Sequence, residues 1–386
     1  MINILYITEF DPRLSDFGST QRTNLLWKAL QRLGNVYTVS LCDDIIQEER
    51  IKSIPRKKRN KIYSFFLLIQ NIVLCRLGLD GYGILHNKLS IPLESAFPNV
   101  KFDIYVCRYL KPFSEYRLFK YKPFLIDIDD HPIQVFQTTI LPRIPSFLRN
   151  FAERMKRRRI SSLEKKFDGG WISNPLQVSW VSTKQPITPL LNMPPMPSDS
   201  YNCDSQRYKY IMMVGRMGYV PNYKGLKRFM YEVWPKFHLL YPDIKFKVVG
   251  KGLPDNILKE FCQNDGFEYL GFVNDLNYLY EHCLATVVPV DAGGGTCIKT
   301  LESMSHSRVC IVTPFGARGL ENTSDNGVFV YHSVDEFIDI FERQVCNEVI
   351  RKKNECAGFN FVVANYSFET FCSAVKEQID LVISNS

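Results

Sequence analysis

Residues 287–320 read VVPVDAGGGTCIKTLESMSHSRVCIVTPFGARGL. An apolar run ends at Val290, three glycines follow at 293–295, a helical pattern starts near Thr296, and a second apolar run leads into Thr313. Strand, glycine loop, helix and strand in that order make a βαβ unit, which calls for a parallel sheet with helices on its faces. Gly293, Gly294 and Gly295 let a ligand come against the backbone, and the free amides at a helix start favour a phosphate there. Glu302, further into the same helix, is placed to accept hydrogen bonds from ribose hydroxyls. The competing reading of three glycines is a plain flexible turn; the strand and helix on either side argue for the phosphate.

The alternation extends in both directions. Upstream lie strand runs at 210–214, 245–249, 268–270 and 285–290, with a helix expected over 225–241; downstream come strands at 309–313 and 327–331 and a helix from Val334. The first half repeats the scheme, with strands at 3–8, 36–41, 104–107, 124–128 and 170–173 and a helix at 21–33. Between Pro186 and Tyr208 prolines and serines accumulate, which is linker chemistry. The fold class is therefore α/β, two Rossmann-like domains: an N-terminal one over 1–200, which the final helix (366–386) crosses back to join, and a C-terminal one over 201–365.

At 386 residues, 45% of them apolar and 23% charged, the chain is long enough for two such cores and is not disordered. Its 11 cysteines are scattered, without a CxxC pair, so they suggest neither a disulfide framework nor a zinc cage. Glu9 and the lack of a preceding basic region argue against a secretory signal, and a cytoplasmic location is expected. Residues 1–200 hold 29 Lys+Arg against 18 Asp+Glu, a net of 29 − 18 = +11, while the remainder is net negative by 22 − 19 = 3. The first half thus faces something anionic, nucleic acid or phospholipid. The most apolar stretch, 62–75, is too short to span a bilayer and follows the basic run Arg56–Lys61. It is read either as a helix lying in an anionic membrane surface or as a buried helix behind a solvated loop; a second basic cluster at 156–159 favours the membrane, and we expect no nucleic-acid partner.

Two cations follow the strand at 210–214, Arg216 and Lys224. A diphosphate leaving group gains charge as it departs, so fixed cations at this strand end lower that barrier without a metal. Lys299, one helical turn before Glu302, either pairs with that carboxylate or reaches a phosphate. In the first half, LIDIDDH at 125–131 ends in Asp129, Asp130 and His131, at the strand edge where open α/β sheets bind ligands. The acids orient an acceptor hydroxyl, or Asp-Asp-His before Pro132 forms a turn and helix cap; a metal site is a further, less favoured reading, because the cations above already neutralise a diphosphate.

The segment 287–320 resembles the donor-binding signature of glycosyltransferase family 4, in the branch reading GGGT-x-x-K-x-x-E. The resemblance implies the GT-B fold, in which two Rossmann-like domains face each other across a cleft. It also implies retaining transfer of a sugar from a nucleotide-diphosphate donor, with no cofactor and no metal. On this basis Glu302 holds the ribose, the loop from Gly293 to Thr296 receives the diphosphate, and Arg216 and Lys224 stabilise the leaving group. His131 sits beside the donor sugar. Gly18, with Arg22 close by, stands for the family's glycine loop bordering donor and acceptor. Turns such as 249–252 and 271–273, with Val273, line the base pocket in similar enzymes. One departure is Gly294, where many members carry a glutamate near the donor sugar, so sugar identity is not inherited.

The expected function is transfer to a lipid-linked or saccharide acceptor in bacterial cell-surface polysaccharide assembly, peripheral on the inner face of the plasma membrane. A nucleotide-sugar epimerase or hydrolase of the same fold, and a non-catalytic binding module, are the alternatives; Gly294 favours the last, while Arg216, Lys224 and Glu302 oppose it.

Overall fold

The computed structural model describes the chain except residues 15–17, 43, 56–61, 63–65, 67–68, 71–72, 75–88, 130, 195–206, 293–295, 321–322 and 386. It divides into two compact units, Met1–Asn192 with Phe368–Ser386, and Met193–Ser367.

In the first unit the strands are β1 (Ile2–Thr8), β2 (Gly34–Ser40), β3 (Ile51–Ser53), β4 (Ile104–Arg108), β5 (Phe124–Ile128), β6 (Gly169–Ile172) and β7 (Ile187–Pro189), with helix α1 (Gly18–Gln31) after β1 and α2 (Ser146–Glu164) before β6. They form one parallel sheet in the order β3-β2-β1-β4-β5-β6-β7. Every residue of β5 is buried, as expected of a strand covered on both faces. The stretch read as linker from Pro186 onward begins instead as an edge strand. Pro189 lacks an N–H to donate, which a sheet tolerates at its edge.

The second unit holds β8 (Tyr210–Val214), α3 (Val220–Arg228), β9 (Lys245–Val249), β10 (Phe267–Gly271), β11 (Ala285–Val288), α4 (Ile298–Ser305), β12 (Cys310–Val312), β13 (Val328–Val330) and α5 (Glu348–Asn365). Its sheet is parallel in the order β10-β9-β8-β11-β12-β13. Phe229, Trp234, Phe237, Phe246, Phe337 and Phe341 pack together as the centre of its core. The last helix, α6 (Phe368–Ser384), lies on the first unit, where the Trp171 indole donates to the Ala374 carbonyl at 3.2 Å and Thr188 donates to Gln378. Both units are thus doubly wound Rossmann-like sheets.

Helix α3 starts five residues earlier than its sequence suggests. Pro221 and Gly225 look like breakers, but proline fits the first helical turn, where its missing N–H leaves nothing unsatisfied. Gly225 is needed inside the helix because a Cβ there would sit 2.3 Å from the Pro289 carbonyl oxygen. The close approach presses α3 onto the end of β11.

Candidate functional site

In the second sheet the strand order reverses between β8 and β11, so the chain leaving β8 turns one way and the chain leaving β11 the other. The crevice at such a switch point is where open α/β sheets hold ligands. Expected site residues converge here from both sides.

The loop after β8 is pinned to its neighbour: Gly215 N–H donates to Val249 O at 2.9 Å, and Met217 N–H to Lys251 O at 2.7 Å. Met217 is buried, while Arg216 beside it is exposed and, among the described residues, has no ion-pair partner. The Arg216 carbonyl accepts from Asn222 Nδ2 at 2.9 Å. Asn222 is buried on α3, and its Oδ1 has no hydrogen-bond partner among the described residues. Lys224, expected in the loop, lies instead within α3 and is exposed. The side chain tied to Arg216 is therefore Asn222, which sequence reasoning passed over as a spacer.

From the other side comes α4. Residues 293–295 lie outside the described residues, so Gly293, Gly294 and Gly295 have no position to report. The helix that follows has no side-chain cap at its first turn, which leaves amides for a ligand. Thr296 is buried against Gly319, whose φ of 81° and position, 2.6 Å from the threonine Oγ1 to a would-be Cβ, only glycine tolerates. Thr300 Oγ1 donates to Gly316 O at 2.7 Å and anchors the helix to the loop after β12. Among the described residues no ion pair joins Lys299 to Glu302. Lys299 instead reaches over the switch point, its Cε 2.7 Å from where a Gly215 Cβ would be. The field here is positive: although burial pushes the other way, Arg318 and Lys299 hold the Cys297 thiol below its ordinary range.

Glu302 stands one turn further along α4. Burial pushes its carboxyl up to about 7, only partly opposed by Lys299, and no donor among the described residues bonds to it. On the same helix side, His306 stacks flat on Tyr280 at 4.2 Å, and burial pulls that imidazole down to about 4. A carboxylate paying for desolvation with no donor is an acceptor awaiting one. Glu302→Gln should therefore stabilise the ligand-free protein at high pH. The folded carboxyl keeps its proton to about 7, whereas the ordinary value is 4.5, so the folded state binds more protons between those values and stability falls as pH rises through them. The variant should match the parent below pH 4.5 and exceed it by about 1–3 kcal/mol above pH 7. Melting curves across that range check this; a variant less stable at high pH would mean the carboxylate already has a structural partner.

Val273, expected at a base pocket, is partly buried and packs with Val249 and Tyr280. Next to it Phe272 is 61% exposed, with Lys251 Nζ 4.0 Å from its ring centroid.

In the first unit Gly18 opens α1, and Asp130 lies outside the described residues. Two expected site residues turn inward. Arg22 is fully buried and has each of its three nitrogens engaged: Nε and Nη2 on Asp127 at 2.9 and 2.6 Å, and Nη1 on Leu190 O and Asn192 Oδ1 at 2.8 and 2.7 Å. It braces the unit and is withdrawn from the surface where an acceptor would bind. His131 is buried as well. It caps the short helix Pro132–Val135 by accepting from Ile133 N–H at 3.2 Å, sits 3.3 Å from Glu164 Oε1 and meets Trp180 edge to face. Asp129 reaches the edge of this cluster; burial would raise its pKa, but Arg108 and Arg22 hold it below the carboxylate range. Arg108 and Asp127, the centre of the network, had no signal in the sequence, since their partners are distant along the chain. Among the described residues no cluster of three His, Cys, Asp or Glu side chains is placed to hold a metal, and no helix is long and apolar enough to cross a membrane.

Residues 208–347 match the family model described as Glycosyl transferases group 1. No curated protein matches the chain. Among solved structures it is similar to sucrose-phosphate synthase from Thermosynechococcus elongatus, with a TM-score of 0.68 at 13% identity over 100% of both chains. It is also similar to Anabaena Alr3699/HepE in complex with UDP and glucose, with a TM-score of 0.60 at 12% identity over 98% of this chain and 100% of that one. A third is WaaG, a glycosyltransferase involved in lipopolysaccharide biosynthesis, with a TM-score of 0.58 at 11% identity over 98% and 99%. Residues 208–347 thus match the group 1 glycosyl transferases, and the whole length has the fold of these structures, the GT-B type with two Rossmann-like units.

Proposed function

We propose that this chain is a retaining glycosyltransferase of the family 4 type. It moves a sugar from a nucleotide-diphosphate donor to a hydroxyl of a lipid-linked or saccharide acceptor in bacterial cell-surface polysaccharide assembly, at the inner face of the plasma membrane and without a metal. The observation that carries this reading is the meeting, at the β8/β11 switch point, of Arg216, Lys299, an uncapped helix start and the unpartnered Glu302. In the reaction the bond from the anomeric carbon to the diphosphate oxygen breaks. The acceptor oxygen then bonds to that carbon on the same face, and its proton goes to the departing phosphate. Arg216 and Lys299, with Lys224 as a further cation, meet the charge that builds on the diphosphate. Glu302 takes the ribose hydroxyls, and the loop at 293–296 takes the phosphates. The UDP and glucose bound to the Anabaena neighbour and the lipopolysaccharide role of WaaG are the precedents for donor and setting.

The test is a panel of nucleotide sugars with purified protein. Thermal protection by one donor, followed by product formation only when a lipid-linked or saccharide acceptor is added, is the expected result. Nucleotide release at equal rate without any acceptor would favour a hydrolase of the same fold and end the transfer reading.

A further inference from the structure

The first unit carries the chain's positive charge, and its surface shows where that charge meets exposed apolar groups. On α2 the residues Phe147, Phe151, Arg154 and Arg158 are spaced four, three and four apart, which puts them in one stripe along the helix. All four are exposed, Phe147 by 82% and Phe151 by 50%, an unusual state for phenylalanine on a helix whose opposite face packs into the unit through Ala152, Ile160 and Leu163. Arg157 flanks the stripe. The only acids on α2 are neutralised or withdrawn: Glu153 pairs with Arg157 at 2.7 Å, and Glu164 is buried. The same unit repeats the pattern. Ile62, Phe66, Ile69 and Val73, each helical itself and again four, three and four apart, are 68%, 56%, 41% and 48% exposed, and the basic run Arg56–Lys61 precedes them in sequence.

The geometry points to the Phe147–Phe151–Arg154–Arg158 face of α2 as a docking surface for an anionic phospholipid bilayer. Two rings at one end enter the headgroup boundary, and guanidiniums further along take lipid phosphates. The boundary of an anionic bilayer offers an apolar layer directly beneath negative charge, which matches rings and guanidiniums in one stripe on the unit that holds the chain's excess of positive charge. The inference rests on the membrane setting proposed above and gives it a location.

The experiment is sedimentation of the full chain with vesicles of phosphatidylcholine alone or mixed with phosphatidylglycerol, with nucleotide binding measured on the same preparations. The parent should sediment with the anionic vesicles only. Phe147→Glu/Phe151→Glu should lower vesicle affinity at least roughly tenfold, and Arg154→Gln/Arg158→Gln roughly ten- to thirtyfold with a shallower salt dependence, because each arginine near such a surface adds about a fivefold gain. Both variants alter exposed groups, so each should keep the parent's melting temperature and nucleotide affinity. Undiminished vesicle binding by the phenylalanine variant, failure of the parent to bind anionic vesicles, or equally tight salt-sensitive binding to RNA would each overturn the proposal. Loss of sugar transfer with vesicle binding intact would instead count against the transferase details alone.

Discussion

Arg216→Ala should reduce turnover by roughly 100- to 1,000-fold while leaving the melting temperature unchanged and nucleotide affinity within about tenfold of the parent. The separation of the three readouts follows from how the residue is held. Its backbone is fixed by bonds the side chain takes no part in, from Asn222 to its carbonyl and from Met217 to Lys251 next door, so truncation leaves the loop where it was. The guanidinium itself is exposed, and removing an exposed side chain costs little stability. What disappears is a cation facing the charge that develops as the diphosphate leaves. That interaction is stronger in the transition state than in the bound donor, so the loss falls on kcat more than on binding. Arg216→Lys should recover only part of the rate, since an ammonium keeps the charge but not the planar fork. Asn222→Ala should act in the same direction and less strongly, by freeing the carbonyl that fixes the loop. Steady-state kinetics with the donor identified by the panel decide the matter; turnover within threefold of the parent for Arg216→Ala would remove it from the chemistry.

The strands at 124–128, 210–214 and 245–249 have in the structure the bounds their sequence implies: YIMMV is an unbroken apolar run, and FLIDI and KFKVV keep enough apolar and β-branched residues between turn signals to read as strands despite Asp127, Lys245 and Lys247. Three-residue edge strands such as β3 and β7 are too short to show a period, and β7 hides among prolines that an edge position permits. Placement near the β8/β11 switch point was legible for charged residues that follow a strand or stand on the helix after the glycine loop, as with Arg216, Lys299 and Glu302. It was not legible where a side chain's meaning depends on what it folds against. Arg22 reads as a cation at a helix start and proves to be a brace. His131 reads either as a neighbour of the donor sugar or as part of a helix cap, and proves to be the buried cap of Pro132–Val135. Asn222 looks like a polar spacer between Pro221 and Tyr223, and only the early start of α3 turns it under the Arg216 loop. Pairings across 105 residues, such as Arg22 with Asp127, leave no local trace at all.

That pairing sets up the largest stability effect expected of any single substitution in the first unit. Asp127→Ala should destabilise it by about 3–5 kcal/mol, a large share of the 5–15 kcal/mol that holds a typical domain together. Asp127 is wholly buried in β5 and takes three charge-assisted hydrogen bonds, Arg22 Nε and Nη2 at 2.9 and 2.6 Å and Arg108 Nη1 at 2.8 Å. Removing it strands two buried guanidiniums against one remaining carboxylate, Asp129, which lies 3.0 Å from Arg108 but 3.8 Å from Arg22. The buried charge left over, rather than the lost contacts, is the cost, so Asp127→Asn should be nearly as damaging although it keeps the shape. Adding Arg22→Met to Asp127→Asn should win back much of the loss, since it removes the charge that has no second carboxylate close by. Hydrogen exchange locates the effect: amides of β1, β4 and β5 should lose protection in Asp127→Ala while those of β8, β9 and β11 keep it. Nucleotide affinity should largely survive for the same reason, because apart from Gly18 the groups expected to hold the nucleotide phosphates and ribose belong to the second unit. An Asp127→Ala protein within about 1 kcal/mol of the parent would show that water or a rearranged Asp129 already serves both arginines, and the brace would then be far weaker than its distances imply.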